Sequence, residues 1–505
     1  MDHINRKPLW KDGQRIPSFP ALNNDLFTET VIVGGGITGI VTAYLLTKAG
    51  RKVVLLEASE LVNGTTGHTT AKLTAQHRLK YDQLMQTLNE EQAKLYYEAN
   101  IEAIEWARSL AKNEQISCDW EDTDAYVFTN EETEAEKVRK EAEAYERLGI
   151  AGGEAESMPW DIPFKQAVVM ENQAQFHPVA FLSYLVNFIK DHGGEIFEHT
   201  TAIDVEKGDK VTVITDQGLK VTGNSIVIAS HFPFFDEEFY FARMHAERSY
   251  IIAIKPKREI PAGMYINAEQ PTRSIRSAAF KGEKILLIGG ENHPTGKGQP
   301  TEEHYQALID YAEQEFGVEE VLFTWSAQDL ITLDQIPYIG RIKDDENIFV
   351  ATGYQKWGMS LSIAASLLLS DLMLNKQNRY EELFSPDRFK AQPGVANFVK
   401  QTSNVAALFV KGKLDYFFKN NEELPINQGV VINWEGKRAG AFKEENGSVH
   451  LVDTTCTHMG CECEWNGAER TWDCPCHGSR FSVSGEVVEG PAKKPLKRLG
   501  ENHTN

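Results

Sequence analysis

The feature that most limits the fold is a glycine turn between two β-branched runs near the N-terminus. Residues 30–33 read Thr-Val-Ile-Val, and Gly34-x-Gly36-x-x-Gly39 follows them at once. An alanine- and leucine-bearing segment comes next, and a second β-branched run ends at Glu57. This order of strand, glycine turn, helix and strand predicts a βαβ unit in a parallel sheet. It therefore predicts a dinucleotide site at the turn.

Each part of this unit has an expected role at a bound dinucleotide. Gly34 permits the tight turn, Gly36 lets the pyrophosphate approach the backbone, and Gly39 allows the helix and the strand to pack closely. Glu57 stands 18 residues after Gly39, close to the spacing expected of the acid that binds a ribose hydroxyl. A glycine turn that merely caps a strand is the alternative interpretation. The pattern alone does not separate FAD from NAD.

Composition narrows the class of partner and the location. The 505 residues include 73 acidic and 52 basic side chains, a formal net charge of −21, which argues against nucleic acid as a partner. The first 27 residues lack the apolar core of a secretory signal, so we expect a cytoplasmic protein. The longest apolar stretch, residues 359–374, is shorter than the roughly 20 residues of a membrane span. We expect a buried helix there and no transmembrane segment.

Five of the six cysteines lie within 21 residues near the C-terminus, and two histidines accompany them. Cys456-Thr-His458 is followed, after 15 intervening residues, by Cys474-Pro-Cys-His477. Each half supplies one thiolate and one imidazole, so two sulfurs can hold one iron and two nitrogens the other. The spacing favours a Rieske [2Fe-2S] centre. Zinc is the alternative, because four Cys and His ligands also suit a tetrahedral Zn²⁺, although zinc fingers pair Cys with Cys and His with His.

The residues around these four ligands resemble the cluster-binding loops of Rieske proteins of the respiratory and photosynthetic type. The two loops are residues 456–461, Cys-Thr-His-Met-Gly-Cys, and residues 474–479, Cys-Pro-Cys-His-Gly-Ser. Residues 490–492, Gly-Pro-Ala, resemble the third, proline-containing loop. The resemblance implies a disulfide that joins Cys461 to Cys476.

The same resemblance carries an expectation for the reduction potential of the cluster. Ser479 is expected to donate a hydrogen bond to a cluster sulfide, whereas Phe481 stands where high-potential members carry a tyrosine. Because hydrogen bonds to the sulfurs raise the potential, the missing hydroxyl predicts a lower potential than in those members. Cys463 receives no role from the sequence.

The cluster bears on the identity of the dinucleotide. An iron–sulfur centre passes one electron at a time, whereas oxidation at carbon normally releases two electrons as a hydride. A nicotinamide does not easily split that pair, but a flavin does. The predicted cluster therefore favours FAD, and the chain shows no second glycine fingerprint that would support a separate NADH site.

Residues 28–390 resemble the glycine oxidase and D-amino-acid oxidase family of FAD-dependent oxidoreductases. The similarity rests on the fingerprint with Glu57 and on three further segments, residues 63–71, 333–340 and 351–359. In that family the last segment wraps the flavin ring, and the helix after it directs its positive end at the ring. The FAD contacts that the resemblance implies, beside the fingerprint residues, are Thr66, His68, Gly353, Lys356, Gly358 and Met359.

His68 is the sharpest single candidate among them. The run Gly64-Thr-Thr-Gly-His68-Thr resembles the segment where dimethylglycine and sarcosine dehydrogenases attach FAD covalently to a histidine. We expect His68 to lie against the flavin, and a covalent bond to it is a hypothesis. A polar residue that caps the turn is the alternative.

The predicted fold class is an α/β FAD-binding, Rossmann-like domain interleaved with an α+β substrate domain and followed by an all-β Rieske domain. The expected parts are FAD-binding segments at about 28–84, 174–232 and 338–390, substrate-capping segments at about 85–173 and 233–337, a helical linker at 391–419, and the Rieske domain at 420–505.

The resemblance implies that the protein oxidises the CH–NH bond of an amine or amino acid. Electrons would then leave one at a time through the cluster to an external acceptor that the sequence does not identify. Tyr250, Arg273 and Tyr338 are candidate substrate-binding residues by position only. The alternative is a flavin and iron–sulfur module that serves a partner protein without a substrate of its own. A Rieske oxygenase is not favoured, because no two histidines show the Asp-x-x-His-x-x-x-x-His spacing of its iron site.

Overall fold

The structure is a computed structural model that describes residues 4–13, 16–297, 300–342, 345, 347–390 and 424–499. Residues 4–390 of this set are called the body, and residues 424–499 the C-terminal domain. The predicted helical linker at 391–419 lies outside the described residues.

The helices and strands are numbered in chain order. The α-helices of the described residues are α1 (Ile37–Lys48), α2 (Tyr81–Thr87), α3 (Glu90–Asn113), α4 (Glu132–Leu148), α5 (Pro178–Asp191), α6 (Tyr240–Arg243), α7 (Glu302–Phe316), α8 (Gly358–Met373) and α9 (Glu381–Phe384). The strands are β1 (Leu26–Phe27), β2 (Thr30–Val33), β3 (Val53–Leu56), β4 (Lys72–Leu73), β5 (Glu121–Thr129), β6 (Gly152–Glu154), β7 (Gln166–Gln175), β8 (Glu195–Phe197), β9 (Ala202–Glu206), β10 (Val211–Thr215), β11 (Lys220–Gly223), β12 (Ser225–Ile228), β13 (Met244–Pro256), β14 (Met264–Asn267), β15 (Arg273–Phe280), β16 (Glu283–Pro294), β17 (Val318–Thr332), β18 (Tyr338–Arg341), β19 (Ile348–Thr352), β20 (Gly429–Trp434), β21 (Lys437–Lys443), β22 (Val449–Asp453), β23 (Glu464–Asn466), β24 (Thr471–Asp473), β25 (Arg480–Ser482) and β26 (Val487–Glu489).

A six-stranded sheet forms one side of the body and carries the glycine fingerprint at the end of β2. Its order is β18-β19-β12-β2-β3-β8, and every neighbouring pair is parallel except β18 with β19. β2 and β3 are buried along their whole length, as continuous apolar runs require in a parallel sheet covered on both faces. Helix α1 packs against α5 and α8. The carboxyl ends of the parallel strands meet at one edge, where ligands bind in open α/β sheets.

A nine-stranded mixed sheet forms the other side of the body. Its main path is β17-β13-β16-β15-β14-β5-β7-β4, and β6 pairs with β7. The long strands β13 and β17 pair antiparallel over most of their length. Helix α7 covers part of this sheet, because Leu308, Ala312 and Phe316 recur at four-residue spacing and are buried.

The C-terminal domain consists of two small antiparallel sheets, β20-β21-β22 and β23-β24-β25-β26. The main cluster of buried apolar side chains in its described residues has ten members, and five of them are cysteines. The order of an α/β body with an interleaved second sheet and an all-β C-terminal domain confirms the predicted fold class.

The apolar stretch that begins at Met359 forms α8, whose residues are mostly buried. Its position between α1, α3 and the sheet confirms the prediction of a buried helix. Among the helices of the described residues, none combines the length and the apolarity needed to cross a membrane.

Candidate functional site

The fingerprint glycines lie between the end of β2 and the start of α1. Gly34 has a φ of +114°, and a Cβ atom there would lie 2.3 Å from the carbonyl oxygen of Ala229 at the end of β12. A Cβ at Gly39 would lie 1.9 Å from the carbonyl oxygen of Gly34. At Gly36, the residue before α1, the nearest atom to such a Cβ is Thr66 Oγ1 at 3.2 Å. Gly34 and Gly39 thus hold the turn tight, and Gly36 keeps space free above the helix N-terminus.

Glu57 reaches back to the glycine turn. Its carboxylate accepts hydrogen bonds from the backbone N–H of Gly35 at 2.7 Å and of Ser59 at 2.9 Å. Burial raises the pKa of this carboxyl, although both N–H donors act in the opposite direction. The acid therefore lies at the end of β3 beside the fingerprint, the position expected for a ribose contact.

The loop after β3 places Thr66 and His68 on the same side as the turn. Thr66 Oγ1 accepts a hydrogen bond from the N–H of Ile37, the first residue of α1, at 3.1 Å. His68 Nδ1 donates to the carbonyl of Gly64 at 2.8 Å, which is the turn-capping contact of the alternative interpretation. Burial lowers the pKa of His68 to about 4, so the ring is neutral at physiological pH. His68 also lines the cavity described below, and its covalent bond to flavin stays a prediction.

The loop between β19 and α8 brings Lys356, Gly358 and Met359 to the same cavity, whereas Gly353 is not among its lining residues. Gly353 has a φ of +77°, and Gly358 and Met359 begin α8. Lys356 Nζ lies 3.3 Å from Glu247 Oε2 and donates to Ser249 Oγ at 2.8 Å. Hydrogen bonding to His245 and the charge of Lys356 lower the pKa of Glu247 to about 2. Lys356 therefore links the loop between β19 and α8 to strand β13.

A cavity of about 1910 Å³ connects these loops. It runs past Gly34, Gly36 and Glu57 and past Lys356 and Gly358. A helix N-terminus, an acid at a strand end and an adjoining cavity are the features that a dinucleotide needs. The residues of the body therefore fit FAD.

The cavity also holds charged groups that were not among the sequence candidates. Arg248 on β13 is almost wholly buried, and its Nε and Nη2 atoms have no hydrogen-bond partner among the described residues. Asp329 on β17 lies in the cavity wall, opposite Glu247 in the strand register. Burial raises the pKa of Asp329 to about 7. Both strands carry further charged and polar residues, so nothing in the sequence singled out either position.

The structure separates the three substrate-binding candidates. Tyr250 lines the cavity and shares a hydrogen bond of 3.0 Å with His293 Nε2. Arg273 instead forms an ion pair with Glu291 at 2.6 Å. Tyr338 is buried beneath the guanidinium of Arg388. Among the described residues that line the cavity, only Tyr250 comes from these three.

The predicted cluster ligands come together at one end of the C-terminal domain. The sulfur atoms of Cys456, Cys463 and Cys474 lie within 4.8 Å of one another. The rings of His458 and His477 are 5.0 Å apart at an angle of 89°. His458 Nδ1 is buried and has no hydrogen-bond partner in the described chain. Two thiols and two imidazoles fit a [2Fe-2S] cluster with mixed ligands. The buried ring nitrogen of His458 without a partner is one of the atoms that the cluster would satisfy.

The loops that carry these ligands are joined by the disulfide between Cys461 and Cys476, the pairing that the resemblance implies. Ser479 Oγ accepts a hydrogen bond from the N–H of Ala492 in the proline-containing loop at 3.0 Å. Its own O–H proton stays available to a neighbouring acceptor. Phe481 is fully buried in β25 beside Trp472.

The cluster end of the C-terminal domain packs against the body. The side chain of Phe241 in α6 lies edge-on to both ligand histidines, 5.7 Å from His458 and 5.3 Å from His477. Gln328 Nε2 on β17 donates to the carbonyl of Gly478, next to His477, at 2.9 Å. The backbone carbonyl of Gln328 accepts a hydrogen bond from Thr65 Oγ1 at 3.1 Å, and Thr65 lies beside Thr66 in the loop after β3.

Further polar contacts hold the two parts together. Tyr305 in α7 donates to Glu469 at 2.8 Å. Glu489 of the C-terminal domain lies 3.7 Å from Arg248 and 3.7 Å from His231 of the body. Glu489 and several neighbouring residues of the C-terminal domain also line the cavity that runs past Gly34 and Lys356.

Comparison with known proteins gives two family matches. The family model of FAD dependent oxidoreductases matches residues 29–372. The model of the Rieske [2Fe-2S] domain matches residues 415–500. Together the two matches cover both sites described above.

Individual relatives support the same division. The chain is 48% identical over 492 residues to YhfW of Bacillus subtilis (strain 168), named as a Rieske 2Fe-2S iron-sulfur protein, with 97% of each chain covered. It is 23% identical to gamma-glutamylputrescine oxidoreductase of Escherichia coli (strain K12), over 72% of this chain and 87% of that one. Glycine oxidase from Geobacillus kaustophilus has the fold of the body, with a TM-score of 0.62, 17% identity, and 72% and 99% of the two chains covered.

Proposed function

Because the chain belongs to the family of FAD-dependent oxidoreductases and carries a Rieske domain, we propose that it is an amine or amino-acid dehydrogenase. The body binds FAD and the C-terminal domain binds a [2Fe-2S] cluster. When bound, FAD accepts a hydride from the CH–NH bond, and the cluster passes electrons singly to an external acceptor. The relative named for gamma-glutamylputrescine, itself an amine, supports this substrate class.

The residues of the cavity suit an amine. Hydride transfer from the carbon atom needs the neutral amine, so the ammonium of a bound substrate must lose a proton. The carboxyl of Asp329, whose pKa is raised by burial to about 7, can accept that proton near neutral pH. Glu247 is unsuited to this step, because its pairing with His245 and Lys356 holds its pKa at about 2.

The contact between the two sites is the observation that carries the proposed relay. Gln328 forms hydrogen bonds with Thr65, in the loop after β3, and with Gly478, next to the predicted cluster ligand His477. Phe241 of the body covers the two ligand histidines. The edge of the cluster site therefore faces the body, as transfer from the flavin requires.

Anaerobic stopped-flow absorbance with a panel of amines and amino acids tests the proposal. We expect a substrate to bleach the flavin first and the cluster absorbance to fall in a second phase. Bleaching of the flavin without later reduction of the cluster would contradict the relay. If no amine or amino acid bleaches the flavin, the alternative of an electron-transfer module that serves a partner protein is favoured instead.

Two variants separate the relay from domain docking in general. Gln328→Leu removes the hydrogen bond to Gly478, so we expect slower reduction of the cluster and an unchanged rate of flavin bleaching. Tyr305→Phe removes a domain contact of similar length, to Glu469, and serves as the matched control. Equal slowing in both variants would show that Gln328 only helps to dock the domain.

A further inference from the structure

Cys463 is a third sulfur at the cluster site, in addition to the two predicted cysteine ligands. Its side chain is fully buried, and its sulfur atom lies within 4.8 Å of the sulfurs of Cys456 and Cys474. Disulfide formation does not involve it, because the bridge of this domain joins Cys461 to Cys476. Its thiol is therefore free to interact with the ligand sulfurs.

The backbone fixes this position. The N–H of Cys463 donates to the carbonyl of Thr454 at 2.8 Å, and the adjacent residues Thr455 and Glu462 form a β-bridge. The segment before the first ligand and the segment that carries Cys463 are thus held side by side. The side chain of Cys463 is directed at the ligand sulfurs by this pairing.

We propose that Cys463 donates an S–H hydrogen bond to the sulfur atoms of the [2Fe-2S] site and raises its reduction potential. A reduced cluster carries more negative charge on its sulfurs, so a donor stabilises the reduced form more than the oxidised form. A third thiolate would instead add a buried negative charge beside two others, which is costly. A tyrosine hydroxyl at position 481 would stabilise the reduced cluster, but Phe481 has none. The thiol of Cys463 thus supplies part of that stabilisation.

This inference goes beyond the proposed function, because it concerns the cluster alone and holds for any substrate. It is tested with the full-length protein loaded with its cluster, in a redox titration followed by the electron paramagnetic resonance of the reduced cluster. We expect Cys463→Ala to shift the midpoint potential to a lower value. Cys463→Ser keeps a donor, so its potential should lie above that of the Ala variant.

Cys118 provides the matched control, because it is also a buried free thiol but lies in the body. Cys118→Ala should leave the potential of the cluster unchanged. Equal potentials in the wild type, Cys463→Ala and Cys463→Ser would overturn the proposal. Failure of Cys463→Ala alone to hold a [2Fe-2S] cluster would also overturn it, because Cys463 would then be a ligand.

A spectroscopic readout distinguishes a hydrogen bond from a change of packing. Electron–nuclear double resonance in D₂O detects exchangeable protons close to the reduced cluster. We expect Cys463→Ala to lose one such coupling that the wild type and Cys463→Ser both show. An unchanged set of exchangeable couplings in the Ala variant would mean that the thiol donates to another group.

Discussion

The body and the C-terminal domain hold their cofactors by different means. In the body the predicted nucleotide site is made largely of backbone, and it begins with the tight turn at Gly34. Next to this turn, the N–H of Gly35 donates to Glu57 and the N–H of Ile37 donates to Thr66. In the C-terminal domain the cluster site is made of side chains on short loops. A backbone site depends on the fold around it, whereas a site of side chains can itself support the fold.

The cores of the two parts show the same difference. The body buries a large set of leucine, isoleucine, valine and aromatic side chains, so it can fold before a cofactor binds. Half of the main cluster of buried apolar side chains in the C-terminal domain consists of cysteines. A domain of this size has a small core, and a bound metal then adds directly to its stability. The cluster should therefore be part of the fold of the C-terminal domain, whereas FAD should be only a ligand of the body.

The strongest test of this difference removes a cluster ligand. We expect Cys474→Ser to lose the iron. The C-terminal domain should then unfold, because the buried core of this domain depends on the cluster. The flavin should stay bound to the body. Iron content, flavin absorbance and limited proteolysis of the full chain measure these three outcomes. A C-terminal domain that resists protease without iron would refute the dependence of its fold on the cluster.

The second test disturbs the backbone site. A Cβ at Gly39 would lie 1.9 Å from the carbonyl oxygen of Gly34, so Gly39→Ala forces the helix away from the turn. We expect the unfolding free energy of the body to fall by about 3 kcal/mol, with loss of FAD, while the iron content stays unchanged. Denaturant titration and flavin content measure the effect.

Gly64→Ala is the matched control for this substitution. Gly64 lines the same cavity, but a Cβ there meets no described atom within 4 Å, and its φ of −80° suits any residue. Gly64→Ala should therefore retain wild-type stability and FAD content. Similar losses in both variants would show that the loop tolerates no side chain, whatever the space.

The βαβ unit could be predicted because its signals are local. The run at 30–33 forms β2 with those bounds, and Glu57 directly follows β3. The cluster ligands were predicted for the same reason, since each pair lies within four residues of sequence. His68, by contrast, lines the cavity, but its contact with the flavin stays a prediction, because the sequence does not reveal which atom its ring would contact.

The junction between the domains could not be predicted. Gln328 and Gly478 are 150 residues apart, and a glutamine in a strand gives no sign of a partner so distant. Cys463 had no assignment, because a cysteine two residues after the disulfide cysteine has no meaning until the fold places it beside Cys456 and Cys474. Arg273 and Tyr338 were chosen by position in the sequence, but neither lines the cavity, because Arg273 pairs with Glu291 and Tyr338 packs under Arg388.

A smaller effect on stability is expected from Asp329, a charged side chain in the wall of the cavity. Burial raises the pKa of Asp329 from 3.8 to about 7. The folded body therefore holds a proton that the unfolded chain releases near pH 4. The stability that this bound proton gives is fully present below pH 4 and is lost as the pH rises through 7. We expect Asp329→Asn to raise the thermal midpoint of the body, relative to wild type, more at pH 8 than at pH 5. Asp209→Asn, at an exposed bend, should change neither value.

The smallest effect concerns a single hydroxyl at the cluster, where a site built of side chains can be adjusted without loss of the fold. Phe481 is fully buried in β25 of the cluster-bearing sheet, and a tyrosine there adds one donor. Because a hydrogen bond to a cluster sulfur favours the reduced form, Phe481→Tyr should raise the midpoint potential. Phe442→Tyr, at a buried position in β21, is the control and should leave the potential unchanged.

If the hydroxyl acts on the same sulfurs as Cys463, then Phe481→Tyr should also recover part of the potential that Cys463→Ala loses. An unchanged potential in Phe481→Tyr, in either background, would show that position 481 does not reach the cluster.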